Sequence, residues 1–344
     1  MQKVKAAIVG ASGYSGEELV ALLARHPQIE IVALTSRQSV GTTVAEIFPR
    51  MAASSIAGMK FVEPSADALA KSGASVVFLA LPHGLAAEFT APLRKAGIQV
   101  VDLSADFRLK SADIFEEFYG EKHPAPELLA ESIYALPEVC GNEALKDAAL
   151  LACPGCYPTS ILVPLVPLLR KQLIDPTSIV INSLSGVSGA GRKADVLLLF
   201  AECNESLRAY GAPKHRHLSE VEQELSAAAG ERVTVSFTPH LVPVTRGMIS
   251  TIVVSPLKGT NAKAVESAWR DAYGDRPFVR IVPHLPDSKH VTNSNFIDIA
   301  VREDKRTGRL LLFSAIDNLG KGAASQAVQA FNISRGWDEA SGLT

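Results

Sequence analysis

VGASGYSGEELVALL (9–23) is the stretch whose reading decides the fold. Gly10, Gly13 and Gly16 stand in the pattern G-x-x-G-x-x-G, directly after the apolar run 6–9. Leu19, Val20, Leu22 and Leu23 then recur at helical spacing until Pro27 stops the pattern. In the order strand, glycine-rich turn, helix, small residues let the backbone approach a pyrophosphate, while the helix start offers unbonded amides and partial positive charge. Gly10, Ser12, Gly13, Tyr14, Ser15 and Gly16 are therefore candidate cofactor contacts, with an ordinary tight turn as the alternative.

Working outward, the apolar runs 29–34, 76–81 and 98–103 read as further buried parallel strands with helices in the gaps. Repetition of that unit predicts a doubly wound α/β sheet, a Rossmann-type dinucleotide-binding domain. The second strand runs into Thr35-Ser36-Arg37, where an NAD-specific fold places an acidic residue for the ribose hydroxyls. Ser36 and Arg37 suit a 2′-phosphate instead, so the expected cofactor is NADP(H). The alternative for Arg37 is a solvated surface arginine.

After about residue 155 the pattern changes to longer, more loosely connected strands at 179–184, 233–237, 249–254, 296–301 and 310–316. Amphipathic helices at 220–229 and 262–273 accompany them, and a last helix is expected at 323–334. This predicts a second, α+β substrate domain with a mixed sheet, one face of it covered by helices. A length of 344 residues with 47% hydrophobic and 20% charged residues agrees with two globular domains. A net charge of −2 gives no footprint for nucleic acid or an anionic membrane, which leaves a small molecule as the expected partner. No signal-peptide pattern and no apolar run of about 20 residues is seen, so secretion and membrane insertion are not expected. Four cysteines in so long a chain form no disulfide framework and fit the reducing cytoplasm.

CPGCYPT (153–159) followed by the apolar run 160–169 carries the chemistry. Pro158 fits the first turn of a helix, which puts Cys156 just before the N-terminus, where the dipole and amides favour a thiolate and can receive an oxyanion. Pro164 and Pro167 predict a kink or early break in that helix. C-x-x-C also fits a redox pair or half of a zinc site, and a buried structural cysteine is the bland alternative. No second cysteine pair completes a zinc site, and the motif does not follow the first strand as a thioredoxin motif would. Lys214-His215-Arg216-His217 holds the densest imidazole cluster, from which His217 can act as base. The other histidines, at 26, 83, 123, 240, 284 and 290, have no metal-site spacing, and no metal is expected. SGVSGAGRK (185–193) and Arg246-Gly247 read either as anion loops or as glycine turns with solvated charges.

These segments together resemble the N-acetyl-gamma-glutamyl-phosphate reductases of arginine biosynthesis over nearly the whole chain. GASGYSG (10–16), LPHG (81–84), VDLSADFRL (101–109), PGCYPT (154–159), SGVSGAGR (185–192), HRH (215–217), HLVPVTRGM (240–248) and DNLGKGAASQAVQ (317–329) carry the resemblance. It implies a semialdehyde-dehydrogenase-like fold: an NADP-binding domain at 1–153, a catalytic and oligomerisation domain at 154–317, and a C-terminal helix at 318–344 that returns to the first. It implies Cys156 as nucleophile and His217 as acid/base, with Pro82, Ser188, Gly189 and Asn318 at the cofactor. His215, Arg246 and Arg108 are implied at the substrate, and the assembly is implied to be a homo-oligomer, dimer or tetramer. The expected reaction is NADPH-dependent reduction of the acyl phosphate to the semialdehyde through a cysteinyl thioester. A carrier-linked aminoadipyl phosphate, aspartyl phosphate, or a non-catalytic NADP-sensing role are the competing readings. The sequence departs from the pattern at Cys153, where asparagine is usual, and at Ala135 and Ser325, where glycine is common. Cys153 raises the expectation of a reversible oxidative link to Cys156.

Overall fold

The computed structural model describes residues 2–192 and 194–343; Lys193 of the 185–193 loop lies outside the described residues. The chain divides into two compact units, Met1–Pro154 together with Ala323–Thr344, and Gly155–Gly322.

The first unit holds β1 (Val4–Val9), β2 (Ile29–Leu34), β3 (Val76–Leu79), β4 (Gln99–Asp102), β5 (Ile133–Tyr134) and β6 (Leu150–Ala152), in the order β2-β1-β3-β4-β6-β5. Every pairing is parallel. β3, β4 and β6 are buried along their whole length, because helices cover both faces. Hence the strands read as unbroken apolar runs rather than alternating ones. On one face Leu19, Leu23 and Phe78 pack with Phe331, whose ring meets Phe78 edge-on at 5.4 Å. On the other, Val77, Leu79, Phe89, Leu93 and Phe107 form a second cluster. The helix Ser325–Ser334 is buried at every residue, so the chain's last helix lies inside this core. The strand order reverses between β1 and β3, and open sheets of this kind bind ligands beyond their carboxyl ends at such a point.

The second unit is built on a seven-stranded mixed sheet. Its strands are β7 (Val180–Gly186), β8 (Arg208–Ala209), β9 (Ser236–Val242), β10 (Met248–Val254), β11 (Val279–Ile281), β12 (Ile297–Asp304) and β13 (Arg309–Ile316), in the order β11-β12-β13-β10-β7-β9-β8. β10 shows the expected alternation, with Met248, Ser250, Ile252 and Val254 buried and the residues between them partly exposed. β9 does not lie at 233–237; it starts at Ser236 and includes Pro239-His240-Leu241-Val242. Proline is tolerated there because Tyr210 N donates to the Pro239 carbonyl at 3.1 Å. The missing Pro239 N–H therefore faces β8, an edge strand two residues long.

The helix Cys156–Arg170 corrects two expectations. It runs unbroken for 15 residues, and Cys156 is its first residue rather than the one before it. Pro164 and Pro167 each deprive a carbonyl one turn earlier of its donor. Side chains replace both: Ser314 Oγ donates to Ser160 O at 2.6 Å, and Tyr273 OH donates to Val163 O at 2.7 Å. Every residue from 157 to 169 is buried, which explains a run apolar on all sides. A row of hydroxyls fixes the helix on the sheet, Ser160 Oγ lying 2.7 Å from Ser250 Oγ and that oxygen 2.6 Å from Ser183 Oγ.

Candidate active site

Cys156 owes its place to the glycine before it. Gly155 caps the helix in extended conformation, and its amide donates to Glu220 Oε2 at 3.1 Å. Glu220 is fully buried in the first turn of the helix Leu218–Ala229, whose N-cap is His217. His217 Nε2 lies 3.9 Å from Glu220 Oε1. A β carbon on Gly155 would stand 2.6 Å from His217 Nε2, so only glycine lets the imidazole sit directly against the residue preceding Cys156. The Tyr157 ring, on the residue after Cys156, is 5.9 Å from the His217 ring. One helix start thus brings a thiol, an imidazole and a buried carboxylate into one small volume.

His215 closes this volume with aromatic neighbours. Its ring centroid is 5.0 Å from His217, 5.5 Å from both Tyr157 and Tyr210, and 5.8 Å from Phe237. Burial, and then the Arg216 cation, push it down to about 4. It is therefore neutral near pH 7, and because Nδ1 accepts from His217 N at 3.2 Å, its proton resides on Nε2. The Tyr157 and Tyr210 hydroxyls share a 2.9 Å hydrogen bond. Burial raises both, Tyr210 to about 12, so each keeps its proton.

A hydrogen-bonded group with one ion pair forms at the carboxyl end of β13. Arg246 Nε meets Asp317 Oδ2 at 3.0 Å, with Asp317 fully buried. Asn318 beside it donates from Nδ2 to Ser188 Oγ at 2.9 Å and accepts at Oδ1 from Gly247 N at 2.8 Å. A β carbon on Gly189 would stand 3.7 Å from Asn318 Nδ2. Ser188, Gly189, Arg246 and Asn318, 130 residues apart at the extremes, therefore share one network. The chain then passes Gly322, where a β carbon would stand 2.7 Å from Cys156 Cβ.

In the first unit, Gly10 has φ +75°, and a β carbon there would lie 2.4 Å from Ala80 O; one on Gly16 would lie 2.3 Å from Gly10 O. The glycines are required by close backbone packing as well as by any ligand. Gly13 caps the helix Tyr14–Arg25, placing Tyr14 and Ser15 at its first two positions with no side-chain cap on its amides. Ser12 Oγ is 2.7 Å from Ser36 Oγ at the end of β2, where the Thr35 hydroxyl is buried and has no hydrogen-bond partner. Arg37 is largely exposed and lies 3.8 Å from Glu88. A small-residue cradle with a basic head and an orphaned hydroxyl at the end of β2 fits a phosphorylated dinucleotide. Pro82 opens the loop whose Gly84 N donates to Asp106 Oδ1 at 2.6 Å. Among the described residues no group of three His, Cys, Asp or Glu side chains could hold a metal, and no helix is long and apolar enough to cross a membrane.

Residues 5–148 match the semialdehyde dehydrogenase NAD binding domain, and residues 156–318 match the semialdehyde dehydrogenase dimerisation domain. An N-acetyl-gamma-glutamyl-phosphate reductase of Akkermansia muciniphila is 51% identical over 345 residues, covering 100% of this chain and 99% of that one. This chain belongs to the N-acetyl-gamma-glutamyl-phosphate reductase family. The family member from Geotalea daltonii is 47% identical over 343 residues, with 99% of this chain and 98% of that one covered. The fold of this reductase-family chain is also that of aspartate semialdehyde dehydrogenase II from Vibrio cholerae, solved with ASA, at a TM-score of 0.73 and 18% identity, covering 97% of this chain and 98% of that chain. The Candida albicans aspartate semialdehyde dehydrogenase with NADP gives 0.72 and 18%, covering 97% and 99%.

Two residues of the reductase-family chain occupy unexpected surroundings. Arg108 is 6% exposed, and its Nε and Nη2 donate to the carbonyls of Cys153 and Leu103 at 2.7 and 2.8 Å. It clamps the backbone beyond β4 and β6, a role that its reading as a substrate ligand did not include. Cys153 has no exposed surface, and burial pushes its thiol far up, with the Asp102 carboxylate adding to the effect. That environment opposes the expected oxidative link, which needs an accessible thiolate. Conversely, Glu220 and Asp317 were not singled out from the sequence. The signal for Glu220 was its position three residues after His217 at a helix start; for Asp317 it was adjacency to Asn318.

Proposed function

We propose that this chain reduces N-acetyl-gamma-glutamyl phosphate to N-acetylglutamate 5-semialdehyde and phosphate with NADPH, through a thioester on Cys156. The observation that carries the reading is Cys156 at the first position of a buried helix, with the His217 ring packed against the glycine before it. End-to-end identity of 51% to a reductase of that name supports the choice of substrate.

His217 takes the thiol proton, and the Cys156 thiolate attacks the acyl carbon; the C–S bond forms, the bond to the phosphate oxygen breaks, and phosphate leaves. The amides of the helix start are assigned to the oxyanion that develops on that carbon. NADPH, when bound, supplies the hydride that reduces the thioester. Collapse of the thiohemiacetal then breaks the C–S bond, frees the aldehyde and returns the sulfur as thiolate, which His217 reprotonates. Glu220 holds the Gly155 amide, and its other oxygen, 3.9 Å from His217 Nε2, sets a carboxylate beside the imidazolium that forms.

Gly10, Ser12, Gly13, Tyr14, Ser15, Gly16, Ser36, Arg37 and Pro82 are assigned to the cofactor, with Arg37 on the 2′-phosphate; Ser188, Gly189 and Asn318 are assigned to its nicotinamide half. Arg246 and the Nε2–H of neutral His215 are assigned to the substrate's anionic and polar groups, and Arg108 to the same task at one remove. The match to a dimerisation domain supports a homo-oligomer, dimer or tetramer. The proposal includes a cytoplasmic location, where thiols stay reduced.

The test is phosphate-dependent oxidation of N-acetylglutamate semialdehyde, followed by NADPH absorbance, with NAD and aspartate semialdehyde as comparisons. A rate specific to NADP and the acetylated substrate is expected. Activity only on another semialdehyde would move the enzyme to another acyl phosphate, and bound NADP with no turnover on any would remove the catalytic reading.

A further inference from the structure

Asp317 accepts from three backbone amides and pairs with Arg246, and the proposed chemistry does not use it. It is fully buried at the end of β13. Its Oδ1 accepts from Leu319 N at 2.9 Å and Gly320 N at 3.1 Å, and its Oδ2 from Asn293 N at 2.5 Å. Arg246 Nε reaches both oxygens, at 3.0 and 3.2 Å. A buried ionised carboxylate is costly unless it is paired and hydrogen-bonded, and here three amides and one cation do both. The three amides alone could be served by neutral acceptors. Among the described residues, the charge is matched only by Arg246.

Three separate stretches meet on this carboxylate: the turn before β10 with Arg246, the 291–294 loop, and the 318–320 turn that carries Asn318. The packing around it is tight. A β carbon on Gly320 would stand 2.6 Å from Ser294 O and 3.2 Å from Asp317 Cβ, so only glycine lets the turn lie this close to the loop. The Asp317 carbonyl in turn accepts from Gly322 N at 2.9 Å, beside Cys156. A guanidinium has five donors in a fixed fork, so one carboxylate that grips it at Nε sets the direction of the whole head and cannot consume every donor.

We propose that Asp317 is the positioning residue for Arg246: it fixes the guanidinium so that the head presents its other donors to the anionic group of the substrate or to phosphate. This rests on the assignment of Arg246 as an anion ligand made above. Without Asp317 the arginine keeps its charge but loses its aim, so recognition of the anion is lost, and any loss on the cofactor side comes through Asn318 on the turn that Asp317 also holds.

The experiment compares Arg246→Met, Arg246→Lys, Asp317→Asn and the double variant Arg246→Met/Asp317→Asn in the phosphate-dependent assay, with KM determined separately for the semialdehyde, phosphate and NADP. Arg246→Met and Asp317→Asn are each expected to raise KM for one anionic co-substrate about tenfold or more, and Arg246→Met, which leaves the acceptor of the 318–320 turn in place, to leave KM for NADP within about twofold. The double variant is expected to raise KM for that anion by far less than the product of the two single increases, because both remove one shared interaction. Arg246→Lys keeps a cation for Asp317 and is expected to fold, yet to raise KM as Arg246→Met does, since an ammonium cannot grip the carboxylate and present a fork to an anion together. Independent multiplication in the double variant, or a folded Asp317→Asn with unchanged KM, overturns the proposal. If Asp317→Asn does not fold, a wild-type KM in Arg246→Lys overturns it. An unchanged KM in Arg246→Met instead removes the anion-ligand assignment on which the proposal stands, and the absence of any turnover in the wild type removes the proposed function.

Discussion

Gly322→Ala should damage catalysis although Gly322 itself carries no reacting group. The new β carbon would stand 2.7 Å from Cys156 Cβ and 3.2 Å from both Cys156 Cα and the Asp317 carbonyl oxygen. Unbonded carbons sit about 3.5–4.0 Å apart, so roughly 1 Å must be found. Neither neighbour is the loose end of a side chain. Cys156 begins a helix whose residues from 157 to 169 are all buried, and Asp317 is held by three amides and an arginine. Overpacking of this kind costs about 1–3 kcal/mol of stability. A displacement of about 1 Å at a reacting atom can cost about a hundredfold in rate. The expected result is a folded variant with kcat down by about two orders of magnitude and an altered rate of alkylation at Cys156. Gly58→Ala is the control, because a β carbon there would meet nothing within 4 Å. A Gly322→Ala enzyme with native circular dichroism and kcat within about twofold of wild type would refute the claim that this packing places the sulfur.

Arg37→Ala should raise KM for NADPH by about tenfold and leave KM for NADH nearly unchanged, as initial rates with each cofactor would show; equal losses for both would sink the 2′-phosphate assignment. Glu220→Gln keeps an acceptor for the Gly155 amide but removes the charge beside His217, and kcat should fall by at least about tenfold with little change in thermal stability. For His215, held at about 4 against an ordinary 6.5, the unfolded chain takes up the proton first as pH falls. Its contribution to stability is fully present above 6.5 and is lost as pH drops towards 4, so His215→Gln should flatten the acid side of a Tm-against-pH curve in that window. An unchanged slope would contradict the buried neutral imidazole.

The first unit was legible because its physics is local. Strands buried on both faces write themselves as apolar runs, and Gly10 and Gly16 mark a turn where any β carbon collides with backbone. β2 (Ile29–Leu34) and the helix Ala262–Tyr273 were readable to the residue for the same reason. β9 was misplaced because Pro239 reads as a strand breaker until the short β8 beside it is known. An early break was among the expectations for the helix Cys156–Arg170 because the replacements for its lost hydrogen bonds, Ser314 and Tyr273, lie more than 100 residues away. The same distance hid Asp317, whose meaning depends on Arg246, 71 residues earlier. Cys156, His217 and Asn318 are proposed from their motifs, but the carboxylates that hold their surroundings could be found only once the chain was folded.

The most direct test is to mix the enzyme with N-acetyl-gamma-glutamyl phosphate in the absence of reductant, quench in acid and read the peptide containing Cys156 by mass spectrometry. The account predicts one N-acetylglutamyl group on Cys156, released phosphate in equal amount, discharge of the adduct to semialdehyde when NADPH is added, and neither adduct nor turnover in Cys156→Ser. Full turnover in Cys156→Ser, or an acyl group on another residue that NADPH discharges at the catalytic rate, would contradict it.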